Sequence, residues 1–499
     1  MASRVILGGP CKQHEESASE MVSETVDARL IGELGEIVGP DGVVSREAER
    51  RVYECDGYTL EKSIPEVVVL PATHDELVAT VRLLHARGVA FVPRGAGTGL
   101  SGGCLPVGAP VMICVSRLSR ILEIDLANRR ARVEAGVVNS WVTRAVQDAG
   151  LLYAPDPSSQ PACTIGGNIA ENSGGPHTLK YGVTTNHVLA LELVLPDGEV
   201  VELGAAIEDP PGYDLLGLVV GSEGTFGIVS RATLRLVRRP EAWRTLLAIF
   251  ESVDDASEAV SGIIASGIVP AALEMMDRLI VEAVEAAYHF GFPLDAGAVL
   301  IVELDGPAIG LDDETRDVVT VCRAHGAREV RLARDESERA ALWKSRKRAF
   351  GAVGRLAPNY CTQDGVVPRT RVPAILRRIG AIGERHHLRI ANVFHAGDGN
   401  IHPIVLYDER DADEVRRVVA AGNEILEACV ELGGSVTGEH GIGVEKIAHM
   451  PAIFSPDDLL AMQRLRAVFD PAGRANPGKI FPTPGGCVEV GRPRRQVPL

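Results

Sequence analysis

The sequence predicts an α+β protein of two domains, on three observations. A strand–helix–strand pattern over residues 67–92 ends in the loop FVPRGAGTGLSGG at 91–103. Two further loops, at 155–182 and 221–227, are too rich in small and turn-forming residues to be packing elements, and alternating strands lie between and after them. Near Pro240 the pattern changes to longer apolar strands alternating with helices, which places a domain boundary there.

The first pattern has readable signals: an apolar run at Val67–Leu70, a capping box at Thr73 with Glu76, then Leu77, Val81 and Leu84 at helical spacing, and Gly88 as the stop. The next strand, Val89–Val92, delivers the chain to the glycine loop at the carboxyl end of a βαβ unit, where open α/β sheets bind ligands. Gly97, Gly99 and Gly102 match the G-x-G-x-x-G spacing of a nicotinamide dinucleotide site, which requires a helix next. The chain instead continues with CLPVGAP and the strand-like VMICV, so a bare backbone loop for a pyrophosphate is expected and an NAD-linked enzyme is excluded. PDPSSQPACTIGGNIAENSGGPHTLKYG at 155–182 predicts no regular element, LALELVLPDGEVVEL predicts a hairpin turning at Asp197 and Gly198, and GSEGTFGIVSRATLRL ends in an alternating strand. Residues 1–60 are charged and expected to be helical.

With 499 residues, 45% of them hydrophobic, the chain can bury more than one core. A net charge of −16 argues against nucleic acid and anionic membrane as partners. No signal-peptide core and no apolar run of membrane-spanning length is found, and the nine cysteines contain no C-x-x-C pair, so no iron–sulfur cluster is indicated. A cytoplasmic location fits.

The three loops in this order resemble the FAD-binding domain of vanillyl-alcohol-oxidase type flavoproteins. LWKSRKRAFGAVGRLAP (342–358), NVFHAGDGNIHP (392–403), GSVTGEHGIGVEK (434–446) and NPGKIFP (476–482) are similar to the FAD-containing subunit of bacterial glycolate oxidase, with D-lactate and D-2-hydroxyglutarate dehydrogenases as relatives. The resemblance implies an N-terminal helical segment (1–60), an FAD-binding domain (61–240), an α/β cap domain for substrate and metal (241–454) and a C-terminal return to the FAD domain (455–499), with 456–469 as the returning helix. It places the flavin against Arg94, Gly95, Ala96, Gly97, Thr98, Gly99 and Ser101, against Asp156, Thr164, Gly167, Asn168, Ala170, Asn172, Gly174 and Gly175, and against Glu223, Gly227, Ile228 and Asn476. Some relatives link FAD to a histidine of the first loop. Thr98 stands in that neighbourhood here, so non-covalent FAD is expected.

If Asp398 and Gly399 form a two-residue turn, paired positions sum to 797 and His395 faces His402, close enough for two imidazoles to meet one ion. Two stacked histidines in a sheet are the plainer explanation until Glu439 supplies a carboxylate. Two His and one Glu leave coordination positions open, and the resemblance implies a divalent metal there, Zn, Mn or Fe. His440, next to Glu439, is the expected general base. Arg339, Lys344, Arg346, Lys347 and Arg348 share a basic helix. Most belong to a solvated face, and the resemblance singles out Arg346 as the grip on a substrate carboxylate. Phe350, one turn later, disfavours a second carboxylate. The expected activity is oxidation of glycolate or D-lactate to the 2-oxo acid. The resemblance implies that electrons then leave through iron–sulfur and second flavoprotein subunits to a quinone, with contact to the inner membrane made through those subunits. A D-2-hydroxyglutarate dehydrogenase, or a non-catalytic flavoprotein that only relays electrons, is the alternative. The second would not need His395, His402, Glu439 and His440 together.

Overall fold

The computed structural model describes residues 26–207 and 211–482. Cys11, Cys487 and the first part of the expected N-terminal helical segment lie outside them. Within the described part of that segment a helix, Ala28–Val38, packs Leu30, Leu34 and Val38 inward and is capped by Asp27, whose side chain accepts from Leu30 N.

The strand–helix–strand unit forms as its sequence signals. Val67–Val69 is a buried strand, Thr73 caps helix His74–Ala86 by accepting from Glu76 N, and Phe91–Arg94 follows. Glu76 reaches back one residue further than a standard capping box, to Ala72 N at 2.7 Å. No helix follows the glycine loop. The chain enters strand Val111–Cys114, which runs parallel between Val67–Val69 and Phe91–Arg94. A second, antiparallel sheet of five strands contains the expected hairpin, Val188–Val194 with Val200–Gly204, and the strand Ile228–Arg235 at its centre.

One expectation fails here. Residues 155–182 are too glycine-rich to suggest a helix, yet Ile165–Glu171 is one, and a further turn spans Thr178–Tyr181. Thr164 caps the first by accepting from Gly167 N, Ile165 and Ile169 bury one face four residues apart, and Asn172 ends it in the left-handed conformation. Gly166 costs helix propensity but permits contact, since a Cβ there would sit 2.8 Å from Ala135 Cβ.

Beyond residue 240, five antiparallel strands lie side by side in the order Glu329–Leu332, Ala242–Phe250, Ala298–Gly306, Ala272–Asp277, Arg389–His395. The central ones are apolar on both faces because helices cover both. Leu246, Ala248 and Phe250 face helices such as Val253–Ala265 and Val372–His386, while Leu247 and Ile249 face Arg278–Tyr288. Near its end the chain returns to the first sheets. Helix Pro456–Phe469 stacks Phe469 on Phe226 with centroids 4.5 Å apart, a contact worth about 0.5–1.5 kcal/mol, and Asn476 N donates to Phe91 O.

Candidate active site

A cavity of about 400 Å³ is lined both by the glycine loops and by the histidine–glutamate cluster. Of the residues expected to touch the cofactor, Arg94, Gly95, Ala96, Gly97, Thr98, Gly99, Thr164, Gly167, Asn168, Ala170, Glu223, Gly227 and Ile228 line it, as do Arg346, His395, His402, Glu439 and His440.

The other expected cofactor residues do not line this cavity, and their contacts are these. Ser101 Oγ donates to His440 O, Asp156 Oδ2 pairs with His177, Asn172 Oδ1 accepts from Thr185 N, and Asn476 Nδ2 donates to Gly103 O and Glu223 O. These are braces behind the wall. Gly174 and Gly175 serve close approach: a Cβ on the first would lie 2.8 Å from Glu439 Oε2, and on the second 2.6 Å from Asp156 O. Arg94 is turned under its own loop, donating to Cys55 O and Cys104 Sγ, and Gly97 adopts a positive φ of 70° where a Cβ would collide with that guanidinium.

The hairpin register differs from the expected one by two residues. His395 pairs with Asn400, and Asn392 with Pro403, so paired positions sum to 795 and residues 396–399 form a four-residue turn. The chain leaves the ladder early because Ala396 N donates to Leu273 O, and Gly399 O is taken by Val367 N. Side chains alternate with period two, so a shift of two keeps His402 on the face of His395 as its diagonal neighbour. The rings still meet edge to face, centroids 5.1 Å apart.

Both imidazoles turn Nε2 toward one oxygen: Glu439 Oε1 lies 3.3 Å from His395 Nε2 and 3.3 Å from His402 Nε2. Behind each stands a buried carboxylate that the sequence did not single out. Glu274 Oε1 is 2.6 Å from His395 Nδ1, and Asp364 Oδ1 is 3.8 Å from His402 Nδ1. Asp364 Oδ2 also gathers the Thr437 hydroxyl and the backbone N–H groups of Gly438, Glu439 and His440, fixing the loop that presents the last two side chains. Burial opposes the charge on Glu439, yet the two histidines hold its carboxyl well below the usual range. Burial likewise opposes the charge on Asp364, and His440, Lys446 and His402 outweigh it. Two nitrogens and a carboxylate oxygen within 4.8 Å of one another, each histidine backed by an acid, form a donor set suited to a divalent cation.

Arg346 ends helix Glu336–Lys347, is 1% exposed, and pairs its Nε with Glu274 Oε2 at 2.5 Å. Nε, Nη1 and Nη2 are all buried without a hydrogen-bond partner among the described residues, so the contact with Glu274 is an ion pair rather than an aligned hydrogen bond. Lys344, Lys347 and Arg348 are exposed as expected, but Arg339 is not part of that solvated face. It grips the fully buried Glu303 through Nε and Nη2 at 2.9 and 3.0 Å. Glu303 also accepts from Thr245 and Trp343 and faces His177, so it anchors the Arg346 helix to the loop that carries Asp156. The polarity of Glu274 and Glu303 inside the apolar runs ALEMMD and AVLIVELDG was the available signal for both.

Residues 65–204 match the family description "FAD binding domain" and residues 239–480 match "FAD linked oxidases, C-terminal domain". Glycolate oxidase subunit GlcD of Escherichia coli is 47% identical over 88% of this chain and 88% of its own. Its counterpart in Bacillus subtilis is 40% identical over 92% and 97%. A D-lactate dehydrogenase of Anaerostipes hadrus is 31% identical over 93% and 99%. Among solved structures, p-cresol methylhydroxylase superposes with a TM-score of 0.77 at 15% identity, covering 91% of this chain and 96% of its own. The 4-ethylphenol oxidase of Gulosibacter chungangensis does so with 0.75 at 20%, covering 91% and 97%. Those likenesses carry the fold: two domains, with an FAD-binding unit of vanillyl-alcohol-oxidase type and an α/β cap. Among the described residues no helix is long and apolar enough to cross a membrane.

Proposed function

On the premise that this chain belongs to the FAD-linked oxidases and is an FAD-dependent oxidoreductase, we propose that it oxidises a small 2-hydroxy acid, glycolate first and D-lactate second, to the 2-oxo acid. The observation that carries this reading is the convergence on one cavity of Arg346, whose guanidinium has no hydrogen-bond partner among the described residues, the His395–His402–Glu439 donor set and His440. A flavoprotein that merely relays electrons has no use for that combination.

Bound FAD supplies the hydride acceptor, and a divalent cation, Zn, Mn or Fe, supplies the Lewis acidity that lowers the hydroxyl pKa. His395, His402 and Glu439 hold the cation. Arg346 receives the carboxylate through Nη1 and Nη2, the planar fork that matches it. His440 takes the hydroxyl proton. Burial lowers its imidazole to about 4, so the ring is neutral at pH 7 and free to accept. Phe350 and Tyr360 line the same cavity and supply bulk rather than charge, which fits a short side chain on the substrate. The FAD is held without a covalent bond, by the loops containing Gly95–Gly99 and Thr164–Asn168. Two relatives are named as subunits of a larger oxidase. Those names support partner subunits; iron–sulfur and second flavoprotein subunits passing the electrons to a quinone, in the cytoplasm or at the inner membrane through those partners, complete the proposal.

Steady-state turnover with an artificial acceptor dye and a panel of glycolate, D-lactate, L-lactate and D-2-hydroxyglutarate tests the reading. Glycolate or D-lactate should give the highest kcat/KM. A preference for D-2-hydroxyglutarate, or no turnover with any member, overturns it.

A further inference from the structure

Glu274 makes two contacts to which the proposed reaction gives no role. It sits in the strand Ala272–Asp277, fully buried, and the antiparallel register places it directly opposite His395. One oxygen lies 2.6 Å from His395 Nδ1 and the other 2.5 Å from Arg346 Nε. Resting on the proposed function, we propose that Glu274 is a positioning residue that joins the cation side of the site to the carboxylate side, fixing His395 and Arg346 with the two ends of one carboxylate.

The chemistry of the two partners requires an acceptor at each end. Arginine Nε–H is always a donor. His395 can present a lone pair at Nε2, toward Glu439, only when its proton is on Nδ1, which makes that nitrogen a donor as well. A carboxylate accepts from His395 Nδ1–H with one oxygen and sets its other oxygen against the guanidinium as an ion pair, close but not aligned as a hydrogen bond. An amide cannot: whichever way Gln is turned, its NH₂ group meets one of the two donors. Either the His395 proton moves to Nε2 and the lone pair is lost, or the guanidinium is pushed away and Arg346 loses its place beside the cavity. A buried glutamate that only neutralised Arg346 would place no such demand on the cation.

The test uses FAD-loaded protein stripped of metal, for wild type and Glu274→Gln, Arg346→Lys and His395→Gln. Two affinities are read: Mn²⁺ by titration, and acetate by perturbation of the flavin absorbance. Acetate offers a carboxylate without the hydroxyl that would chelate a cation. Arg346→Lys should weaken acetate alone and His395→Gln should weaken Mn²⁺ alone. Glu274→Gln should weaken both, Mn²⁺ by about 10–100-fold, the usual worth of a residue that orients a metal ligand. Glu274→Gln with wild-type affinity for either probe overturns the inference. Should that variant fail to fold, Glu274→Asp decides, since it keeps two acceptors on a shorter stem. It should weaken both probes, and wild-type affinity for either again overturns the inference. A wild-type protein that does not bind Mn²⁺ overturns the metal reading itself. Binding by wild type with no change in Glu274→Gln overturns only the coupling.

Discussion

The imidazoles of His402 and His440 lie parallel, their planes 2° apart and their centroids 5.1 Å from each other. His440 thus sits beside His402, its ligand nitrogen also within 4.8 Å of those of His402 and Asp364, and its Nδ1 has no hydrogen-bond partner among the described residues. If it is the base, His440→Asn should keep FAD and metal and still bind substrate, because Asn can hydrogen-bond the hydroxyl but cannot take its proton. Flavin reduction should slow by about 10²–10⁴-fold. Rapid-mixing absorbance checks this, and reduction at near wild-type speed would assign the base elsewhere.

Arg346→Lys keeps a positive charge and loses the planar grip. With the side chain 1% exposed and Nε already committed to Glu274, an ammonium cannot serve both partners. The loss in kcat/KM should be on the order of 2 kcal/mol or more, measured across several hydroxy acids. Unchanged kinetics would return Arg346 to a purely structural role.

Three ligands with open coordination positions make an exchangeable site. A chelator should abolish turnover while the flavin spectrum stays intact, and added Mn²⁺ or Zn²⁺ should restore it. Acid precipitation should then release all yellow colour into the supernatant. Colour in the pellet would mean a covalent flavin, and full activity in protein shown by elemental analysis to be metal-free would remove the cation from the reaction.

His177 lies between Asp156 and Glu303. Burial opposes the charge on its ring, yet the two carboxylates raise its imidazole to about 10. A histidine whose folded pKa is raised contributes stability that is complete below about 6.5, its unfolded value, and is lost as pH rises through 10. Lys479 acts the other way: burial lowers it to about 8, so its contribution favours folding as pH rises. Comparing wild type with His177→Gln isolates the first effect. The variant should be less stable at pH 6 by a few kcal/mol at most, given that the ring is 22% exposed, and the gap should shrink toward pH 10. Denaturant midpoints at the two pH values measure it, and a gap that does not change with pH would mean that folding does not raise the ring's pKa.

Much of this fold was legible where one local signal agreed with the next: Thr73 before a helical stripe, Gly88 after it, and Pro106, Gly108 and Pro110 forbidding a helix after the glycine loop. The helix Ile165–Glu171 was not, because Gly166 serves contact with Ala135 and it and Gly167 both lower local propensity. The meeting of His395 and His402 on one face survived a wrong register only because the error was an even number of residues. Glu274 and Asp364 stand 121 and 38 positions from the histidines they face, a distance that no sequence period spans and that only the sheet closes.

The sharpest check on the proposed chemistry is to mix the oxidised protein with glycolate in the absence of oxygen, following the flavin absorbance while assaying the product. The flavin should bleach in one exponential phase, with one equivalent of glyoxylate formed per flavin and no such change with acetate. A flavin that stays oxidised with glycolate and with D-lactate, in protein shown to contain both FAD and metal, would refute the 2-hydroxy-acid reading.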